Sequence, residues 1–218
     1  MNAIHKAGSS NLKAFVAVSG VGYYKPSMSI VYDENWTQPG DNSNTPEDYL
    51  MNLARDWEQS SELDEHHAPS IRRVVIRPGV VIGQGGGIIK NVTLPFQIGF
   101  GGPIGDGKQW FPWIHVKDLA EMFKFAITND HVTGVINGVA PEQVRNKDFA
   151  QAIGKALNRP AFLPMPAFAV NLLFGAERAE ILLKGQRVKS RAGVLGFRFQ
   201  HPSLLEACSE CFKPSKRS

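Results

Sequence analysis

The pattern of apolar positions predicts two buried strands in the first half of the chain. Residues 14–19, AFVAVS, form a short run of β-favouring side chains that ends at Gly20. Residues 73–82, RVVIRPGVVI, form a second run that ends at Gly83. Short apolar runs bounded by glycine are typical of strands buried in a parallel sheet.

A helix is predicted between these two strands. Thr45 is a typical N-cap, Pro46 suits the first turn, and Glu47 and Asp48 place negative charge there. The helix should continue to about Ser60. Its apolar side chains recur at helical spacing and share one face: Leu50, Leu53, Ala54 and Trp57. Strand, helix and strand in this order predict a right-handed crossover and a parallel sheet.

The second half of the chain is predicted to be richer in helices. Asn146 is a candidate N-cap, and Gly185 is a candidate left-handed C-cap. The predicted elements are a helix over 117–128, a strand within 132–138, a helix from Asn146, a helix over about 167–184, and a helix over about 202–212. We therefore predict an α/β fold with a parallel sheet over residues 1–140 and a smaller, helix-rich lobe over residues 141–218.

Composition narrows the class of protein. The 218 residues are 43% hydrophobic and 20% charged, as in a globular protein, and no apolar run approaches the roughly 18 residues that cross a bilayer. Membrane binding is therefore not expected. The positive residues behind the net charge of +4 are scattered, so nucleic-acid binding is not expected either. Cys208 and Cys211 lie in a predicted helix, where reduced thiols are expected, and no metal site is expected. Without a secretory signal, the default expectation is an intracellular, cytoplasmic protein.

Hydroxyl groups are concentrated just after the first strand. Ser19, Tyr23 and Tyr24 follow it, and ligands bind at the carboxyl ends of strands in open α/β sheets. These three are candidate catalytic residues, because they can donate hydrogen bonds to a carbonyl or act as a general acid. An ordinary turn that covers the sheet edge explains them equally well.

Two other features of the sequence have open interpretations. Arg77 lies in a run that looks buried and so requires a partner, which is either a structural carboxylate or a ligand phosphate. The glycine clusters at 83–88 and 99–107 superficially resemble phosphate-binding loops. Neither is expected to open a helix in a βαβ unit with an acidic residue about 20 positions on, so both are interpreted as turns.

Several motifs of this sequence occur in the same order and spacing in one protein family. The resemblance covers nearly the whole chain, from about Leu12 to the last helix. They are SGVGYYK, RPGVVIGQGGG, PFQIGFGGPIGDGKQWFPWIHVKDLA, GVINGVAP, NKDFAQAIGKALNRP and LLKGQRV. Together they are similar to the atypical extended short-chain dehydrogenase/reductases of the NAD(P)-dependent epimerase/dehydratase family. The resemblance implies a Rossmann-like, doubly wound parallel sheet.

The resemblance also implies positions for a cofactor and a substrate. The cofactor would be NADP(H), with its nicotinamide near Gly20 and near a second group of residues: Arg77, Pro78, Gly79, Val80 and Val81. A backbone group of Val81 is the favoured partner of the carboxamide. The substrate, an unidentified small molecule, would lie near Trp110, Trp113 and His115, with Asp118 capping the following helix. The alternative for His115 is a ring satisfied by local backbone, the commoner situation.

Two departures from the family pattern bear on function. Members begin with a strand, a GxGxxG turn and a helix, which this sequence lacks, so we expect the N-terminal half of the sheet and the phosphate-binding part to be missing. An exposed sheet edge and self-association through it would follow. Tyr49 is followed four residues later by Leu53 instead of the usual lysine.

We therefore expect an NADP(H)-dependent oxidoreductase or epimerase that is impaired in cofactor binding as a fragment. The alternative is a non-catalytic nucleotide-binding or protein-interaction module that retains the fold. Because the true N-terminus is expected to be missing, an organelle location stays open.

Overall fold

A computed structural model describes residues 12–36, 49–63, 71–166, 169–170, 172 and 183–213. The strands are β1 (Ala14–Val18), β2 (Val31–Tyr32), β3 (Arg72–Pro78), β4 (Val80–Ile82), β5 (Trp113–His115), β6 (Gly134–Gly138) and β7 (Arg187–Val188). The helices are α1 (Tyr49–Ser60), α2 (Gly87–Gln97), α3 (Val116–Thr128), α4 (Asn146–Leu157) and α5 (Leu204–Cys211), and a 3-10 turn covers Val21–Tyr23. The helix start predicted at Thr45 lies outside the described residues.

The main sheet has the order β1-β3-β6, and both of its strand pairs are parallel. Ala14 lies opposite Arg72 and Val18 lies opposite Ile76. The central strand β3 carries Val74 and Val75, which are fully buried. It has a paired strand on each side, and Val74 belongs to an apolar cluster with Met122 and Ala126 of α3. The predicted parallel pairing of the two apolar runs is therefore confirmed.

The prediction of one continuous strand over residues 73–82 is wrong, because the chain changes partners at Gly79. The Gly79 amide donates to the Gly138 carbonyl at 3.0 Å, whereas the Val80 amide donates to the Pro112 carbonyl at 2.7 Å. Beyond this point β4 pairs in parallel with β5 in a separate two-stranded sheet. A Cβ atom on Gly79 would lie 2.5 Å from the Pro112 carbonyl oxygen, so glycine permits this close approach.

The interpretation of residues 83–88 as a simple turn is also wrong, because Gly87 begins α2. The helix includes Pro95 and buries one apolar face: Ile88, Ile89, Val92 and Phe96. It joins the parallel strands β4 and β5, so a βαβ unit does follow the glycine cluster. Packing of this face outweighs the poor helix propensity of glycine and proline.

The C-terminal lobe packs α4 and α5 against α2 and the β4–β5 sheet around one apolar cluster. The predicted capping role of Asn146 is wrong. Arg145 is the N-cap, and its amide donates to Asp148, while the side chain of Asn146 accepts a hydrogen bond from the Ile104 amide at 2.7 Å. Cys208 and Cys211 are free, buried thiols of α5.

Gly185 is not the predicted left-handed cap, because its backbone φ is not positive. A Cβ atom there would lie 1.8 Å from the Trp110 carbonyl oxygen, so glycine is required by a close backbone approach. Most of the helix predicted over 167–184 lies outside the described residues, and the domain boundary at residue 140 stays a prediction. Among the described residues, no helix has the length and apolar character needed to cross a membrane.

Candidate functional site

A cavity of about 240 Å³ lies where β1 and β3 end, beneath α1. The residues that line it are Ser19, Gly20, Val21, Gly22, Leu50, Leu53, Ala54, Trp57, Pro78, Gly79 and Val80. Five of them, Ser19, Gly20, Pro78, Gly79 and Val80, are candidate site residues from the sequence. The carboxyl ends of neighbouring parallel strands thus bring two separate motifs together, as expected for a ligand site in an open α/β sheet.

Ser19 supplies the hydroxyl group of this cavity. Its amide extends the β1–β3 ladder by donating to the Ile76 carbonyl at 2.9 Å. The side chain is 7% exposed, and its Oγ has no hydrogen-bond partner among the described residues. A buried polar atom without a partner costs free energy, which a ligand that paired with it would recover.

The wall opposite the strands is apolar and comes from α1. All four residues of the apolar face predicted for this helix line the cavity: Leu50, Leu53, Ala54 and Trp57. Gly22 lies close to Leu50, since a Cβ atom on Gly22 would be 3.6 Å from that of Leu50. The sequence identified this face but gave no sign that it borders a cavity, because a cavity wall and a core contact require the same residue types.

Tyr24, a candidate catalytic residue, lies in the core and does not line the cavity. Its ring is fully buried, and its hydroxyl accepts a hydrogen bond from Arg77 at 2.9 Å. That hydroxyl also lies within donating distance of the Asp33 carbonyl, at 3.0 Å, and of Asn137 Oδ1, at 2.9 Å. Burial raises the pKa of Tyr24, an effect that Arg77 partly opposes. In this structure the Tyr24 hydroxyl is a buried member of a hydrogen-bond network.

Arg77 has a structural carboxylate as its partner, which decides between the two interpretations of the sequence. Its Nε and Nη2 atoms each donate to a carboxylate oxygen of Glu58 on α1, both at 2.7 Å. The guanidinium also lies 3.4 Å from the centre of the half-buried Tyr23 ring. Burial alone would lower the pKa of Arg77, but Glu58 and Tyr24 raise it, so the charge is retained.

The backbone near Gly79 offers fewer free groups than the sequence indicated. The amides of Gly79 and Val80 already donate to Gly138 and Pro112. Val81 pairs with Ile114 in the β4–β5 ladder and does not line the cavity. The amides of Gly79 and Val80 are therefore not free to bind a ligand in the cavity. Such a ligand would meet mainly apolar surface, with Ser19 as the one lining residue that carries a hydroxyl.

None of the three candidate substrate residues lines this cavity, although Trp113 is the ladder partner of the lining residue Val80. Trp113 is 1% exposed, and its Nε1 donates to the Glu142 carbonyl at 3.2 Å. The ring centre of Trp110 lies 3.7 Å from the guanidinium carbon of Arg145 and 4.6 Å from that of Arg187. The structure does not bring either tryptophan to the lining of the cavity.

The cap of α3 is His115 and not Asp118, which agrees with the alternative that the His115 ring is satisfied by local backbone. His115 is the N-cap of α3, where its Nδ1 accepts a long hydrogen bond, 3.4 Å, from the Lys117 amide. Asp118 does not cap the helix. It is fully buried and accepts hydrogen bonds from the amides of Gln200, at 2.7 Å, and His201, at 3.0 Å. Burial, aided by His201, lowers the pKa of His115.

The βαβ unit after the first glycine cluster does not have the features of a dinucleotide fingerprint. An acidic residue, Asp106, does follow about 20 positions later. In that fingerprint the acid follows the second strand and meets the ribose, whereas Asp106 precedes β5 and bonds to the Lys108 amide at 3.0 Å. The interpretation that the cluster does not bind the cofactor phosphates is therefore retained.

The fold and the cavity at the strand ends define a class of protein that comparison identifies. The model of the NAD dependent epimerase/dehydratase family matches residues 2–137, and a domain of unknown function matches residues 165–211. The chain belongs to the NAD dependent epimerase/dehydratase family.

Within that family the chain is similar to epimerase family protein SDR39U1. It is 46% identical to the protein from Bos taurus and 45% identical to that from Homo sapiens, over 91% of this chain and 65% of each relative. A crystal structure of human SDR39U1 (isoform 2) with NADPH superimposes with a TM-score of 0.83 at 43% identity, covering 95% of this chain and 69% of that one. The chain thus spans about two thirds of the length of these relatives.

Proposed function

We propose that the cavity receives the nicotinamide ring of NADP(H), and that the chain is the nicotinamide and substrate part of an NADP(H)-dependent oxidoreductase or epimerase. Support comes from the position of the cavity at the carboxyl ends of β1 and β3. A volume of about 240 Å³ lies below the roughly 300–1,000 Å³ of pockets for drug-sized ligands, so it suits one ring system better than a whole dinucleotide. The human relative was crystallised with NADPH.

The single observation that carries this proposal is the buried, unpaired hydroxyl of Ser19, a lining residue of an otherwise apolar cavity. A buried hydroxyl without a partner costs about 1–3 kcal/mol, which a ligand group recovers when it pairs with that hydroxyl. Nicotinamide fits this pattern, because a flat ring can pack between Leu53 and the strand ends while its carboxamide bonds to Ser19.

The alternative function is binding without turnover. Leu53 lines the cavity at the position where a working family member is expected to carry its lysine, and among the lining side chains only Ser19 has a hydroxyl. Tyr49 is 56% exposed and does not line the cavity. A panel of carbonyl compounds, followed by the near-ultraviolet absorbance of NADPH, separates the two. If a compound oxidises NADPH and Ser19→Ala abolishes the reaction, the result supports an enzyme. If none of the compounds oxidises NADPH, the result supports a binding module.

The binding proposal is tested by comparing reduced nicotinamide mononucleotide with NADPH, using saturation-transfer NMR. We expect the nicotinamide protons to receive saturation from both ligands. We also expect the two affinities to differ by less than about tenfold, or ~1.4 kcal/mol, because the phosphates are not expected to be held. Much tighter binding of NADPH would contradict the expected impairment.

A matched pair of substitutions on α1 locates the binding. Ala54→Phe fills the cavity and should abolish transfer to the nicotinamide protons, whereas Gln59→Ala on the exposed side should preserve it. Binding that persists in Ala54→Phe would place the ring elsewhere.

We also propose an intracellular location. The Arabidopsis thaliana relative, 41% identical over 88% of this chain, is named a chloroplastic homologue. Imaging of the tagged full-length gene product decides between cytoplasm and an organelle, and secretion would contradict the proposal.

A further inference from the structure

Two histidines and a glutamate meet at the contact between α3 and α5, outside the cavity described above. The rings of His115 and His201 stack, with centroids 3.9 Å apart and planes tilted by 35°. The Nε2 atom of His201 is hydrogen-bonded to the carboxylate of Glu210 on α5. One potential ligand atom from each of the three residues lies within 4.8 Å of the others.

We propose that His115, His201 and Glu210 form a binding site for a divalent transition-metal ion such as Zn²⁺. Imidazole nitrogen and carboxylate oxygen are normal zinc ligands, and three protein ligands leave a fourth tetrahedral position for water. Ligand atoms around tetrahedral zinc lie about 3.4 Å apart, so small side-chain rotations bring this cluster to binding geometry. The two histidines are almost wholly buried, whereas the side chain of Glu210 is 28% exposed and leaves a path for entry.

The surroundings of His201 match the support that metal ligands usually have. Its Nδ1 lies 3.5 Å from Oδ2 of the buried Asp118 and has no hydrogen-bond partner among the described residues. A histidine that binds a metal through Nε2 commonly donates its Nδ1 proton to a carboxylate. Asp118 is held in place by the amides of Gln200 and His201, so it is positioned to accept that proton.

Two neighbouring groups compete with an ion and limit its affinity. The ammonium of Lys117 forms an ion pair with Glu210. The Lys117 amide also donates to Nδ1 of His115, and metal binding through Nε2 would place a proton on that nitrogen and break the long bond. The proposal therefore predicts that removal of the Lys117 charge strengthens metal binding, whereas a purely structural ion-pair network gives no such gain.

The test is calorimetric titration of the chain with Zn²⁺, supported by the visible absorption of Co²⁺ as a report of nitrogen and oxygen ligands. We expect one ion per chain and a loss of affinity of at least roughly tenfold in both Glu210→Gln and His201→Asn. Lys117→Met should tighten binding severalfold. Misfolding cannot explain tighter binding by Lys117→Met. Circular dichroism checks that each variant is folded.

The control is His66→Gln with His67→Gln, which removes the two histidines that are adjacent in the sequence. Binding should be unchanged in this control. The proposal is overturned if zinc does not bind, if binding survives both Glu210→Gln and His201→Asn, or if it is lost in the control.

Discussion

Arg77 ties α1 to the sheet beside the cavity through a buried ion pair. Its guanidinium bonds to both carboxylate oxygens of Glu58 and to the Tyr24 hydroxyl. The arginine side chain is 4% exposed and that of Glu58 is 13% exposed, so the pair is largely shielded from water. Two parallel bonds in such surroundings give geometric precision as well as energy.

Glu58→Gln should therefore destabilise the fold strongly. The substitution leaves a buried guanidinium without a counter-charge, and breaking a buried pair from one side costs about 3–5 kcal/mol. Urea denaturation measures the loss. Glu62→Gln removes the same charge from an exposed position four residues later and should change stability by less than about 0.5 kcal/mol. Equal effects of the two substitutions would show that the ion pair does not hold α1.

Tyr24 should retain its proton above the usual pKa of 10. Burial favours the neutral phenol in the folded state, so the unfolded chain loses its proton first as the pH rises. The contribution of Tyr24 to the free energy of unfolding is therefore fully present below pH 10 and is lost as the pH rises further. Burial also raises the pKa of Tyr32, so ultraviolet titration of tyrosinate should show late ionisation that Tyr24→Phe reduces, together with part of the alkaline destabilisation. Titration of Tyr24 at the pKa of free tyrosine would contradict its burial.

At the scale of elements, the junction between β3 and β4 positions the floor of the cavity. One residue, Gly79, separates the two strands, and its backbone lies against Pro112. Gly79→Ala should cost about 1–3 kcal/mol by overpacking, measured by denaturation. Gly86→Ala is the matched control, since its added Cβ meets no atom within 4 Å. A Gly79→Ala protein as stable as this control would mean that the close approach is absent.

The elements that the sequence predicted are those whose pattern is local. Strands β1 and β6 and helices α3 and α5 lie close to their predicted positions, because apolar periodicity and glycine boundaries specify them. Helix α2 was missed because Gly87 and Pro95 are typical of loops, and only packing of its apolar face reveals it. The two-residue strands β2 and β7 pair over a long sequence separation that no local pattern indicates.

The site was predicted where it depends on strand ends and was missed where it depends on tertiary packing. Ser19 and Gly79 lie at the cavity because parallel strands end at one edge of the sheet. Tyr24 and Trp113 are polar aromatics whose burial depends on partners distant in sequence, such as Asn137 and Glu142. Local sequence cannot show that such a hydroxyl or indole is already satisfied.

At the scale of the whole molecule, β1 is the edge strand of the main sheet within the described residues. Val18 at its end is 50% exposed, and an open strand edge favours association with another chain. We predict concentration-dependent self-association, measured by light scattering after size exclusion. Val18→Lys should reduce it, whereas Val194→Lys, at a position 91% exposed in a loop, should not. A monomer at all concentrations would refute association through this edge.

We propose that the cavity between α1 and the strand ends holds a nicotinamide ring. The most direct measurement is an amide-resolved NMR titration of the isotope-labelled chain with reduced nicotinamide mononucleotide. We expect the largest shifts at Ser19, Gly20, Gly22 and Gly79. Shifts confined to the turn at Gly85–Gly87, with the cavity amides unchanged, would contradict it.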